Sequence, residues 1–138
     1  MSIPAEQRRI LVAIRIDDAR QSADDAELLL ERGSRRGAAN RIYYAMFYAL
    51  SALALNDGVS YKTHSGLVGY FQKTYIKPSV FGREHGRAIQ KAFNERSEAD
   101  YEDFLEFDED QQDIRLREAR ALIEVVAAAI ERGTQPTL

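Results

Sequence analysis

The stretch from Ser34 to Gly58, SRRGAANRIYYAMFYALSALALNDG, limits what this chain can fold into more than any other. Ser34 stands where a helix N-cap belongs, no proline follows, and the only glycine before the Asn56-Asp57-Gly58 terminator is Gly37. Apolar residues occupy almost every side of the helical wheel, so such a helix has to be surrounded by others. Ala38, Ile42, Ala45, Ala49 and Ala52 form one row at spacings of four and three, and Ala39, Met46, Leu50 and Leu53 form the row beside it. Rows of small residues let neighbouring helices come close. The remaining strip holds Arg41 with Tyr44 and Tyr48. A guanidinium in a core-forming helix needs carboxylate, carbonyl or phosphate partners to offset its loss of water.

The segments on either side read as further helices. Pro4 suits a first helical turn, and the seam Val12, Ile16, Ala19, Ala23, Ala26, Leu30 steps by four and three up to Arg32. Its outer face carries Arg15, Asp18, Arg20, Asp24, Asp25 and Glu27, and Gly33 supplies a left-handed stop, which predicts an antiparallel hairpin with the central helix. After the Gly58-Val59-Ser60 loop, Ser60 or Thr63 can cap a third helix that reaches about Lys77 and ends at Pro78. His64, Leu67, Val68, Phe71 and Tyr75 share one face of it. A fourth helix aligns His85, Ala88, Ile89, Ala92, Phe93 and Arg96, so that Arg96 points where a core residue would, whereas His85 reads as an exposed first-turn residue.

The acidic segment YEDFLEFDEDQQD, residues 101–113, reads as an irregular connection pinned by Phe104, Leu105 and Phe107. Asp108 and Gln111 resemble a capping box for a last helix to Arg132, with Ile114, Ala121, Leu122, Val125, Ala128 and Ala129 inward. No segment alternates apolar and polar residues as a strand requires. The expectation is an all-α, up-and-down bundle of four to five helices in a single domain spanning 1–138, with a core of about 5–132 and a frayed tail at 133–138. Tyr61, Tyr70, Tyr75 and Phe81 exceed what one small core is expected to hide, which predicts a homodimer.

Composition narrows the chemistry. A net charge of -3 argues against a broad basic surface for nucleic acid, although a local basic cleft fits within a balanced total. The absence of cysteine excludes disulfides and thiolate metal sites. No apolar run, that around Val125 to Ile130 included, is nearly long enough to span a membrane, and the N-terminus MSIPAEQRR has no signal core, so a cytoplasmic protein without membrane association is expected. Phosphate-cradling glycine loops, paired helical histidines and nucleophile elbows are absent, and no cofactor or metal is expected. Four features remain: Arg41 with its tyrosines, His64, His85 and the cluster Arg96 to Tyr101. In the plainest reading Arg41 ion-pairs with Asp100, and His64 is a cap or a satisfied core histidine. Alternatively Arg41 and Arg96, inward on different helices, meet at one anionic spot, as arginine pairs that read phosphate do.

The strings Asn40-Arg41-Ile42-Tyr43-Tyr44-Ala45-Met46-Phe47, Lys62-Thr63-His64-Ser65-Gly66-Leu67 and Arg96-Ser97-Glu98-Ala99-Asp100-Tyr101 together resemble the HEPN domain, a helical domain named for nucleotide binding in prokaryotes and higher eukaryotes. They are most similar to an uncharacterised prokaryotic branch with the pattern RxYYAxF, THxxL and RxxADY, and the resemblance runs from about Asp18 to Ile130. It implies a bundle of four to five helices that usually dimerises and often sits beside a small nucleotidyltransferase, in several cases as toxin and antitoxin. In ribonuclease branches an arginine, followed four to six residues later by histidine, faces its symmetry mate and cleaves RNA without metal. The arginine falls here on Arg96; Asp100 stands where the histidine would, and His64 is the remaining donor. The resemblance thus leaves three functions open. One is a nucleotide- or RNA-binding or partner-docking module using Arg41, Arg96 and the nearby polar groups Asn40, Tyr44 and Tyr101. The second is a metal-independent ribonuclease using Arg96, Asp100 and His64, and the third a structural interaction protein.

Overall fold

The computed structural model describes residues 3–101 and 109–133, and only the backbone of 97–101 and 109. Among the described residues there are five α-helices: α1 Ala5–Glu31, α2 Arg35–Asn56, α3 His64–Phe71, α4 Arg83–Tyr101 and α5 Glu109–Arg132. A π-helical segment, Gln72–Ile76, continues α3 without a break. The helix α2 touches each of the other four, which gives it the central position that its all-round apolar wheel requires.

The α1–α2 hairpin is the frame of the molecule. Gly33, at φ 81°, turns the chain between them, a backbone that costs glycine nothing. Every residue of the predicted α1 seam, from Val12 to Leu30, is buried. Ala19, Ala23 and Ala26 of α1 and Ala38, Ala45, Ala49 and Ala52 of α2 are wholly inaccessible, so the two backbones are spaced by methyl groups and any added carbon has to displace a neighbour. Ser34 does occupy the N-cap position of α2, but its side chain makes no capping bond. At α3 the capping residue is Thr63, whose hydroxyl accepts from the Gly66 amide at 3.0 Å, and His64 is the first helical residue rather than the cap.

The π-helical segment explains how the third helix is fastened. Tyr70 and Tyr75 both donate to the same oxygen, Oδ2 of Asp57 at the C-terminus of α2, Tyr75 at 2.5 Å. Residues five apart diverge on a helix of 3.6 residues per turn, and the wider i to i+5 turn brings them back into line. Tyr75 is fully buried and Phe81 is 7% exposed, stacked with centroids 5.0 Å apart, so one chain hides two of the aromatics whose excess predicted a dimer. Tyr61 remains 44% exposed.

Two further expectations are corrected. Ile114 and Ala121 face outward on α5; its buried residues are Gln112, Arg115, Leu116, Ala119, Leu122, Ile123, Val126, Ala127 and Ala129. A reading by apolar period skips Gln112 and Arg115, and the phase of the helix is thereby rotated. His85 is buried at 8% exposure, not exposed, in the first turn of α4, where Val80 and Phe81 on one side and Val125 and Ala128 of α5 on the other line the same hollow. The connection with Phe104, Leu105 and Phe107, the box residue Asp108 and the tail from 134 lie outside the described residues. No helix among the described residues is long and apolar enough to cross a membrane.

Candidate functional site

The site forms where α2, the start of α3 and the C-terminal half of α4 meet. The aromatic run of α2 supplies its floor. Tyr43 points inward and is 1% exposed, while Tyr44, Phe47 and Tyr48 are half-buried along the edge. The Tyr43 and Tyr44 rings meet edge-on at 5.4 Å, the favoured geometry for neighbouring quadrupoles.

His64 is brought to this floor by the Thr63 cap, which starts α3 at the height of Tyr43. Its Nδ1 is hydrogen-bonded to the Tyr43 hydroxyl at 2.7 Å, and its ring lies 4.0 Å from the Phe47 centroid and 6.0 Å from that of Tyr44. Burial lowers its pKa from the usual value, and the positive charge of Arg96 lowers it further. Burial pushes the Tyr43 hydroxyl up to about 12, against a smaller downward pull from Arg96. The pair is therefore a neutral imidazole held by a protonated phenol.

Arg96 reaches the same floor from α4. Its Nη2 donates to the Tyr44 hydroxyl at 3.0 Å, and its Cζ lies 5.0 Å from the Tyr43 centroid and 5.2 Å from that of Tyr44, within cation–π range of both. Its Nε is buried and has no hydrogen-bond partner among the described residues. Arg41 approaches from α2, with Cζ 5.1 Å from the Tyr44 centroid; Asn40 Oδ1 accepts from its Nε at 3.2 Å and from its Nη2 at 2.9 Å and so orients the guanidinium. Two permanent cations thus share one tyrosine ring, and neither forms an ion pair with a carboxylate among the described residues.

Of the residues singled out in the sequence, Asn40, Arg41, Tyr44, His64 and Arg96 come together. The side chains of Asp100 and Tyr101 lie outside the described residues, and with them the pairing of Arg41 with Asp100. His85 is elsewhere, beside Glu84 at 3.8 Å. Sequence reasoning passed over Tyr43 as a site residue, although its place between Arg41 and Tyr44 marked it. It also passed over Arg115 and Glu95, an ion pair between α5 and the chain neighbour of Arg96 that carries no motif.

The sequence also has relatives among known proteins. The chain matches the HEPN domain over residues 12–132. A "UPF0332 protein" of Thermotoga maritima is 36% identical over 113 residues, 82% of this chain and 86% of that one. Two proteins of Methanocaldococcus jannaschii bear the name "Putative toxin". One is 32% identical over 108 residues, covering 78% of this chain and 74% of its own. The other is 28% identical over 116 residues, covering 84% and 86%.

Proposed function

This chain belongs to the HEPN domain family, and we propose that it is a binding module for the phosphate groups of RNA or nucleotides, gripped by Arg41 and Arg96 beside Tyr44. The observation that carries this reading is the shared ring: two guanidiniums within 5.2 Å of one tyrosine centroid, with no carboxylate of the described residues to neutralise them. Like charges held together in this way repel, and a bound phosphate relieves the repulsion while accepting several charge-assisted hydrogen bonds. The flanking tyrosines offer faces on which a base can stack.

Fluorescence anisotropy with a labelled single-stranded RNA tests this. Arg96→Ala is expected to weaken binding by about tenfold, the size of one lost charge-assisted contact of about 1.4 kcal/mol. The slope of affinity against salt should also become shallower by about one phosphate contact. Equal affinity and equal slope in the variant would remove Arg96 from the site.

A second reading is favoured by one observation. His64 and Arg96 converge on the same two tyrosines, so that a neutral imidazole from α3 stands beside the arginine to which the family's ribonuclease motif assigns a histidine partner. In that reading Arg96 stabilises the phosphorane charge and His64 moves the proton. Cleavage of RNA in EDTA that is lost in both Arg96→Ala and His64→Ala would establish it. The toxin names of two relatives support placing the chain in a two-component module, with a small nucleotidyltransferase as the partner to seek by co-purification.

A further inference from the structure

Arg115 is the most deeply buried charge that the proposed site does not use. It sits on α5 at 5% exposure, donates to Glu95 from Nη2 at 2.5 Å and from Nε at 3.2 Å, and reaches Glu118 with Nη1 at 3.4 Å. Both oxygens of Glu95 are therefore engaged by one guanidinium in the bidentate geometry that arginine favours. The hydrogen bonds that Arg115 donates to Glu95, aided by the charges of Glu95 and Glu118 and outweighing the effect of burial, hold the Arg115 pKa above its ordinary value, so the cation is permanent.

Glu95 immediately precedes Arg96 in the C-terminal half of α4. Without a fixed partner, its carboxylate is a counter-ion on a flexible stem beside a cation whose Nε has no hydrogen-bond partner among the described residues. We propose that Arg115 is a positioning residue for the anion site: by holding both oxygens of Glu95 against α5, it keeps that carboxylate off Arg96 and fixes the turn from which Arg96 reaches Tyr43 and Tyr44. Glu95 then leaves the two guanidiniums at Tyr44 open to an arriving anion. Its action is indirect, through Glu95, and it rests on the phosphate-binding reading of the same site.

The experiment compares RNA affinity, by anisotropy with the same single-stranded RNA, in wild type, Arg96→Ala, Arg115→Met and the double variant Arg115→Met with Glu95→Gln. Methionine keeps the unbranched length of the buried stem, and replacing both partners of a buried pair by uncharged groups is commonly tolerated by the fold, which circular dichroism checks. Arg115→Met releases Glu95 and is expected to weaken binding by about fivefold, the size of one partly screened charge, with a shallower salt slope. The double variant removes the released carboxylate and is expected to return to within about twofold of wild type. A merely structural role for Arg115 leaves the double variant as weak as the single one, and that result overturns the proposal. So does wild-type affinity in Arg115→Met. If wild type binds no RNA, or Arg96→Ala binds as well as wild type, it is the phosphate-binding reading itself that fails.

Discussion

At the residue scale, His64 carries a signature that its neighbours impose. Its folded pKa lies below the ordinary 6.5 because burial, and then Arg96, disfavour the imidazolium. As pH falls through 6.5, the unfolded chain takes up a proton that the folded chain refuses, so stability is lost from that point down to the folded pKa and no further. The dependence of stability on pH just below 6.5 is therefore expected to be shallower in His64→Gln than in wild type, as read by urea denaturation at a series of pH values. Replacing Arg96 with alanine removes one of the two causes, and the His64 titration followed by NMR should move up. An unmoved midpoint would assign the depression to burial alone. None of this coupling was legible from spacing: His64 and Arg96 are far apart in sequence, and only the common floor of Tyr43 and Tyr44 joins them.

At the scale of elements, two contacts hold the third helix in the register that delivers His64. Asp57 accepts from Tyr70 and Tyr75, and burial followed by that carboxylate raises both phenols well above their ordinary range. Asp57→Ala leaves two partly buried hydroxyls without an acceptor and is expected to cost about 2–4 kcal/mol in chemical denaturation. A loss below about 1 kcal/mol would mean that water replaces the carboxylate. Gly86 marks the second contact, where α4 crosses the π-helical segment. Its carbonyl accepts from Gln72 Nε2 at 2.8 Å, and a Cβ there would lie 2.5 Å from Gln72 Oε1 and 2.9 Å from Ile76 Cγ2. Gly86→Ala should therefore destabilise by about 1–3 kcal/mol, although alanine is the better helix former. A stabilised variant would show that the Gln72 side chain simply swings away.

For the whole molecule, the hairpin of α1 and α2 is where tolerance is lowest. Ala49 has no accessible surface, and Ala49→Leu is expected to cost about 1–3 kcal/mol through overpacking, which thermal unfolding would register as a lower Tm. The proposed homodimer rests less on spare aromatics now that Tyr75 and Phe81 are buried within one chain. What remains in its favour is exposed apolar surface on α1: Ile10 and Ile14, one turn apart, at 55% and 48%, and Leu28 further along at 57%. Sedimentation at micromolar concentration should give twice the 15.7 kDa of one chain, and a monomer would confine the site to the residues of a single protomer.

Taken alone, the sequence determined the helices, their order and the core of the hairpin. Those follow from local periodicity and from turn residues such as Gly33, which act over a few positions and need no partner to be read. It also marked Arg41, Tyr44, His64 and Arg96 as residues out of place for an ordinary core. The phase of α5 and the burial of His85 were decided by tertiary structure, because a buried polar group is recognisable only once its environment exists. For Arg115 that environment is Glu95, on a different helix. The same holds for the site: charge desolvation and cation–π contact depend on distances in space, and those distances were set when α3 and α4 closed over the tyrosines of α2.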